Sequence, residues 1–292
     1  MKIGITGAGG QLGSALVRCA LGRTSGSNIV AITRNPAKLE QFSQKGIHVR
    51  TGDFNEPSAL AAAFREIERL VIIPTADLQP GVRSRQHAGA IKAAVSSGVQ
   101  HLIYISTVSA RPDPENSLFD SHFTTEQALI ASGASWTILR MSVYTDSLLD
   151  AAKRAAASGS YAAVPGAPAA YVVRDDIAAA AAGILCTPGH AGITYHATGP
   201  VSVSQEEIAD AIAKASRKPI GFSKMSEEQQ RAGLEAAGLP PALVKGIAGF
   251  QAALRAGAFD LVTGDVARLS GKPAESPLQF FSRALGLSAH AS

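Results

Sequence analysis

Three glycines, Gly7, Gly10 and Gly13, recur at every third position of the string TGAGGQLG, directly after the short apolar run KIGI. Glycine loses more backbone entropy on folding than any other residue, so a cluster this dense needs a geometric reason. The run before it predicts a strand. The spacing of Leu12, Ala15, Leu16 and Cys19 after it predicts a helix, which leaves the glycines in the turn between the two. In that setting G-x-x-G-x-x-G is the pattern of a dinucleotide-binding turn. The first glycine permits the tight turn, the second lets backbone approach a pyrophosphate, and the third lets helix pack on strand. The phosphates then lie at a helix N-terminus, where free N–H groups and the helix dipole favour negative charge. A strand-to-helix turn that binds nothing is the competing reading of the same string.

A second signal lies at the end of the next β-rich run, in AITRNPAK. NAD-binding chains usually place Asp or Glu there to take the ribose 2′-hydroxyl. Arg34 stands at that point and Lys38 follows one helical turn later. A guanidinium fork assisted by an ammonium suits a 2′-phosphate, so the expected cofactor is NADP(H). Solvated surface charges are the alternative for both. Asn35-Pro36 fits a helix start, because proline is tolerated in the first turn. Asp53, after IHVRTG, either faces the adenine or caps the helix that begins near Pro57.

The first half of the chain alternates strand-like and helix-like segments: IGIT, NIVAIT with a helix carrying Leu39 and Phe42, IHVR with a helix around SALAAAFREI, and RLVIIP with a helix from Gln86 to Gly98. HLIYIS, a helix ending near Gly133 and SWTILR continue the series. This alternation predicts right-handed crossovers and a parallel sheet covered on both faces. The fold class expected is therefore α/β, a Rossmann-type doubly wound parallel sheet with a smaller, mostly helical C-terminal unit on the substrate side. The boundaries expected are 1–142 for the NADP(H)-binding domain and 143–292 for the smaller portion, with residues near 171–198 returning to the sheet. That return consists of the strand-like AYVV, an alanine-rich helix from Asp175 to Leu185 and the strand ITYHAT. Ser204 with Glu207 and Ser226 with Gln229 have capping-box spacing, Leu239 to Leu269 reads as helical, and the final SAHAS has no pattern.

An apolar content of 46% in 292 residues fills a substantial core. The 27 basic and 23 acidic residues are scattered, so a nucleic-acid partner is not expected. Cys19 and Cys186 sit in apolar surroundings without C-x-x-C spacing and read as buried free thiols, with no disulfide and no metal site. Neither a leader segment nor an apolar run of about 20 residues is visible, so the expectation is a cytoplasmic protein without a membrane partner.

The strings ITGAGGQLG, VAITRNPAK, GIHVRTGDFN, SSGVQHLIYISTVSA, SHFTTEQALIASG, WTILRMSVYTD and VRDDIAAAAAGIL, in this order, resemble the NmrA-like branch of the atypical short-chain dehydrogenases. Within it the chain is most similar to the type 2 NAD(P)H:quinone oxidoreductases and the triphenylmethane reductases. The resemblance covers most of residues 1 to 200, and one departure is Gly9, where this group commonly has Thr. It implies NADPH along Gly7, Gly10, Gln11, Leu12 and Gly13, with Arg34 on the 2′-phosphate. It also implies Pro74, Thr75 and Ser106 beside the cofactor and Tyr144 at the nicotinamide end. The implied substrates are quinones and other flat, electron-poor aromatic acceptors, and a homodimer is left open. The same group contains members that sense NADP(H) and regulate partners without turnover, which is the alternative function.

Ordinary short-chain dehydrogenases carry Tyr-x-x-x-Lys on the helix after the fifth strand, the lysine lowering the tyrosine pKa for proton transfer. Here the helix reads SHFTTEQAL, with His122 and Glu126 at those positions. A carboxylate cannot replace the lysine, because negative charge raises the pKa of a neighbouring acid. His122 is a proton donor supported by Glu126, one half of a structural pair, or a residue that orients the nicotinamide. Tyr144 is a second candidate donor or a core tyrosine. Hydride addition to a quinone gives an aromatised anion far less basic than an alkoxide, so the missing pair favours an easily reduced acceptor over a ketone.

Overall fold

The structure, a computed structural model, describes residues 1–77, 79, 81–113 and 118–286. The patternless SAHAS at 288–292 lies outside the described residues. Strands and helices alternate from the start: β1 (Ile3–Ile5), α1 (Gln11–Leu21), β2 (Ile29–Thr33), α2 (Glu40–Ser43), β3 (His48–Thr51), α3 (Pro57–Phe64) and β4 (Arg69–Ile72). They continue as α4 (Val82–Ser96), β5 (His101–Thr107), α5 (Leu118–Ile130), β6 (Ser135–Met141), α6 (Leu149–Ser158), β7 (Ser160–Ala163), α7 (Arg174–Cys186) and β8 (Ile193–Ala197). The remainder is α8 (Gln205–Ser216), β9 (Gly221–Lys224), α9 (Glu227–Ala236), α10 (Pro241–Arg255), α11 (Asp265–Ser270) and α12 (Pro277–Ala284).

Seven strands form one parallel sheet in the order β3-β2-β1-β4-β5-β6-β8. Its inner strands β1, β2 and β4 are almost wholly buried, because helices cover both faces, and this is why their sequences are continuous apolar runs. One face packs Val30, Ile32, Leu60, Phe64, Leu70, Ile72, Ala90 and Tyr104 into a common core. Strand order reverses between β1 and β4, and at such a switch point the crossovers leave a crevice beyond the carboxyl ends of the strands.

The chain divides into two compact units. The first comprises Met1–Met141, Asp175–Ala197 and Asp265–Lys272 and holds the sheet. Within it α7 lies so close to α11 that a Cβ on Gly183 would stand 2.0 Å from the carbonyl oxygen of Leu269. The second comprises Ser142–Arg174, Thr198–Gly264 and Pro273–Ser292. It contains the parallel pair β7 and β9 and the helices α6, α8, α9, α10 and α12.

The local differences from the sequence reading have local causes. The segment after Pro36 makes only a 3-10 turn, Pro36–Leu39, before the four-residue α2, and Asn35 caps neither with its side chain. Helix α4 begins at Val82, a turn before Gln86, because its first turn, VRSR, is polar and hides the start. AYVV is buried but joins no sheet: Val172 makes an isolated bridge to Tyr144, and Ala169, just before the segment, bridges Val203. Both capping boxes form as read, and a third unites Ser276 with Gln279. Cys19 and Cys186 are free and half-buried rather than fully buried. Among the described residues no helix is long and apolar enough to cross a membrane, and no group of His, Cys, Asp and Glu could hold a metal ion.

Candidate functional site

The turn between β1 and α1 is built on backbone alone. Gly7 takes a positive φ of 63°, and the N–H of Gly10 donates to its carbonyl at 2.9 Å. A Cβ on Gly13 would lie 2.2 Å from that same oxygen, so packing of α1 against the turn requires glycine there. Gly10 is different. Its φ of −87° is open to any residue, and a Cβ there would meet only the Gly7 oxygen, at 3.3 Å. The fold constrains this glycine less than Gly13, and its missing side chain also clears the approach to the start of α1. That start has no side-chain cap and no acidic residue in its first turn. Its N–H groups and the positive end of its dipole therefore suit an anion.

A cavity of about 620 Å³ lies over this turn. It gathers Gly7, Gly10, Gln11, Leu12, Gly13, Arg34, Lys38, Asp53, Pro74 and Thr75 from four separate stretches of chain. Arg34 and Lys38 are exposed on its wall, and neither has a carboxylate within ion-pair distance among the described residues. Asp53 folds back on its own loop, its Oδ1 accepting from the Asn55 backbone and side chain at 2.9 and 3.1 Å, so it is not the cap of α3. Gly9 has its own local reason: a Cβ there would sit 2.7 Å from Thr33 Oγ1, so threonine at this position would require Thr33 to move. The residues present fit a dinucleotide with an extra phosphate on its ribose.

The sequence reading did not find Phe54, Asn55 and Gln86, which also line the cavity. Gln86 ties two of its walls together, accepting from Thr75 Oγ1 at 2.6 Å and donating to Asn55 Oδ1 at 2.9 Å. Behind Thr75 stands His87, fully buried. Thr125 Oγ1 gives its hydrogen to the Ser121 carbonyl at 2.7 Å, so it accepts from His87 Nδ1–H at 3.0 Å. His87 Nε2 is thereby left bare to accept the backbone N–H of Thr75 at 3.1 Å. Burial, with help from Arg83, lowers the His87 pKa to about 3, so the ring stays neutral and keeps this arrangement.

Ser106 and His122 do not line this cavity. Ser106 is fully buried and its hydroxyl donates to Glu126 Oε1 at 2.5 Å. Glu126 accepts both Arg140 Nε, at 2.9 Å, and Arg140 Nη2, at 2.6 Å, in a two-pronged pair between α5 and β6. His122 is buried beside it on α5. Arg83 can only donate, so His122 Nε2 accepts from it at 3.3 Å, and His122 Nδ1–H donates to the Tyr104 hydroxyl at 2.9 Å. Burial and then Arg83 push the His122 pKa well below its ordinary value, leaving no imidazolium proton to give near neutral pH. His122 and Glu126 do not pair with each other: His122 bonds Arg83 and Tyr104, while Glu126 bonds Ser106 and Arg140. Tyr144 belongs to the second unit, where the Arg174 guanidinium lies 5.1 Å from its ring centroid and burial pushes its pKa up to about 12.

Residues 7–188 match the family model described as NAD(P)H-binding. The chain belongs to the NAD(P)H-binding family. A curated relative within reach is quinone oxidoreductase 2 of Escherichia coli K12, 35% identical over 260 residues, 88% of this chain and 90% of the relative. The crystal structure of the E. coli NADPH-dependent quinone oxidoreductase with NADPH superposes with a TM-score of 0.89, covering 97% of this chain and 100% of that one at 31% identity. The NAD(P)H azoreductase of Xenophilus azovorans is 27% identical over 94% of this chain and 95% of its own. The Citrobacter sp. triphenylmethane reductase, solved with NADP(H), gives a TM-score of 0.89 at 27% identity over 97% of this chain and 100% of its own. Family membership thus agrees with the cavity that the glycine turn builds.

Gly10→Val should abolish dinucleotide binding in a protein that still folds, since its side chain fills the approach to α1 and meets only the Gly7 oxygen. Calorimetry that returned the wild-type affinity would make the turn purely structural. A second expectation concerns acid. His87 has its folded pKa lowered from 6.5 to about 3, so its contribution to stability is complete above pH 6.5 and is lost as pH falls through that window. The slope is about 1.4 kcal/mol per pH unit for each histidine so held. Urea unfolding between about pH 7.5 and about pH 5 should show a shallower loss for His87→Gln than for wild type. Equal slopes would mean that His87 titrates freely in the folded protein.

Proposed function

We propose that this chain is an NADPH-dependent oxidoreductase that passes hydride to quinone-like and other electron-poor aromatic acceptors. The observation that carries the proposal is the pairing of two features. Arg34 and Lys38 face the cavity with no carboxylate partner among the described residues, and the helix position of a lysine-activated tyrosine is taken by a neutral, buried histidine and a carboxylate locked to Arg140. NADPH supplies the hydride when bound; a quinone that takes it becomes a hydroquinone anion, which water can protonate.

The residues of this chain then bind and orient. Gly7, Gly10, Gln11, Leu12 and Gly13 receive the pyrophosphate at the start of α1, and Arg34 with Lys38 grips the 2′-phosphate. Pro74 and Thr75 flank the dinucleotide, with Thr75 held in place by His87 and Gln86. Ser106 acts behind this wall through Glu126. We assign the dinucleotide to the first unit and acceptor recognition, with Tyr144, to the second. The quinone, azo and triphenylmethane relatives support an aromatic acceptor. The same reading takes the protein as a cytoplasmic homodimer with no nucleic-acid partner, which light scattering and fractionation would check.

The direct test follows NADPH absorbance with a simple benzoquinone, with and without protein. Tight NADPH binding without turnover would favour a sensing role instead. Arg34→Ala should weaken NADPH by about 1.5 to 3 kcal/mol, the scale of hydrogen bonds to charged groups, while NADH changes little. Equal losses for both nucleotides would remove the 2′-phosphate assignment. His122→Ala and Tyr144→Phe should each lower kcat at saturating quinone by less than about 10²-fold, because removal of a true general acid costs about 10²- to 10⁴-fold. A larger loss in either would identify a side chain as the proton source.

A further inference from the structure

Side chains along β2 alternate between the two faces of the sheet. Val30 and Ile32 enter the core that also holds Leu60 and Ala90, so Thr33, the last residue of the strand, points to the opposite face, where the glycine turn lies. Thr33 is nearly buried, at 8% exposure, yet it lines the dinucleotide cavity together with Arg34 and Lys38. Its Oγ1 accepts the backbone N–H of Asn35 at 3.2 Å. A hydroxyl also has one hydrogen to give, and among the described residues no acceptor stands within hydrogen-bond distance of this one. Polar groups this deeply placed are normally satisfied, so an unspent hydrogen on a cavity wall points to an acceptor on a ligand.

The room beside this hydroxyl is kept by a missing side chain. Gly9 is not one of the glycines with positive φ, so its backbone conformation is open to any residue. What calls for glycine there is contact: a Cβ would stand 2.7 Å from Thr33 Oγ1, while the Lys38 stem passes at an ordinary 3.8 Å. The hydroxyl of Thr33, the stem of Lys38 and the backbone of Gly9 therefore meet at one corner of the cavity, and Arg34 follows Thr33 directly in the chain.

We propose that Thr33 is a third ligand of the 2′-phosphate, its hydroxyl donating to a phosphate oxygen beside the Arg34 guanidinium and the Lys38 ammonium. The proposal rests on the NADPH reading above and adds a neutral donor to it. Charge attracts any anion, whereas a hydroxyl held at a fixed depth by the Asn35 N–H gives the attraction a direction.

The test measures dissociation constants of NADPH and NADH by calorimetry, with no acceptor present, in wild type, Thr33→Val, Thr33→Ala and Thr33→Ser. Thr33→Val should weaken NADPH about tenfold, the scale of a hydrogen bond to a charged group, and NADH by less than about twofold. Thr33→Ala carries the same comparison in a smaller side chain, should valine disturb the fold. Thr33→Ser loses the methyl group but keeps the hydroxyl, and should stay within about threefold of wild type for both nucleotides. Wild-type NADPH affinity without the hydroxyl overturns the proposal, and so does an equal loss in Thr33→Ser, which would make the methyl group the cause. Because Oγ1 also holds Asn35, the same substitution in Arg34→Ala separates direct contact from placement of Arg34. Thr33→Val should still cost NADPH several-fold there; a cost that vanishes means that Thr33 acts by placing Arg34, and the ligand assignment falls. A wild type that binds NADH as tightly as NADPH removes the 2′-phosphate and the proposal with it. Loss of the reductase reading alone looks different: no quinone is reduced, while the NADPH comparison still decides the role of Thr33.

Discussion

No side-chain atom fits between Gly13 and the carbonyl of Gly7, and most of the first unit follows from that contact. Because α1 must start this close to the end of β1, its uncapped N-terminus is delivered to the carboxyl edge of the sheet, where strand order reverses. The edge is then supplied with cations from the segment after β2, with Pro74 and Thr75 from the segment after β4, and with Gln86 from α4. One close backbone approach thus fixes the direction from which a phosphate is received. The neighbouring Gly10 shows the other use of glycine, in which the space above the backbone is kept for a ligand rather than for packing.

Behind the cavity wall, polar groups are paired so that their protonation states are decided by geometry. Thr125 can accept from His87 only because it gives its own hydrogen to Ser121, and this sets which nitrogen of His87 holds the loop at Thr75. Glu126 is buried in the company of Arg140 and Ser106, and its carboxyl oxygens are engaged in holding α5 to β6. Such networks give rigidity when every member is satisfied, and here the orphaned Nε of Arg83 is the exception.

Much of this was legible in the sequence where the chemistry is local. The glycine spacing, Arg34 with Lys38, and the capping boxes each involve residues within a few positions of one another, so type and spacing carry their meaning. The succession of strands and helices in the first half was legible because both faces of the inner sheet are covered, which makes β1, β2 and β4 apolar runs, although the edge strand β3, HVRT, is not one. What escaped was non-local. Thr75, His87 and Thr125 meet across 12 and 38 positions, and Arg83 meets His122 across 39, with no periodicity to announce either. AYVV has the composition of a sheet strand but finds only isolated bridges, and β7 with β9 pairs short Ser-, Ala- and Gly-containing segments that carry little strand signal.

The ion pair between Glu126 and Arg140 also bears on how this chemistry could change over evolutionary time. Restoring the tyrosine and lysine of an alcohol dehydrogenase on α5 would need His122→Tyr and Glu126→Lys. With Glu126 gone, the new ammonium would meet the Arg140 guanidinium across a gap now closed by 2.6 and 2.9 Å hydrogen bonds, and Ser106 would lose its acceptor. The Glu126→Lys step therefore sets two cations side by side in a largely buried place. The route between the two chemistries passes through at least three coupled positions, which makes this helix a one-way ratchet rather than an interchangeable part.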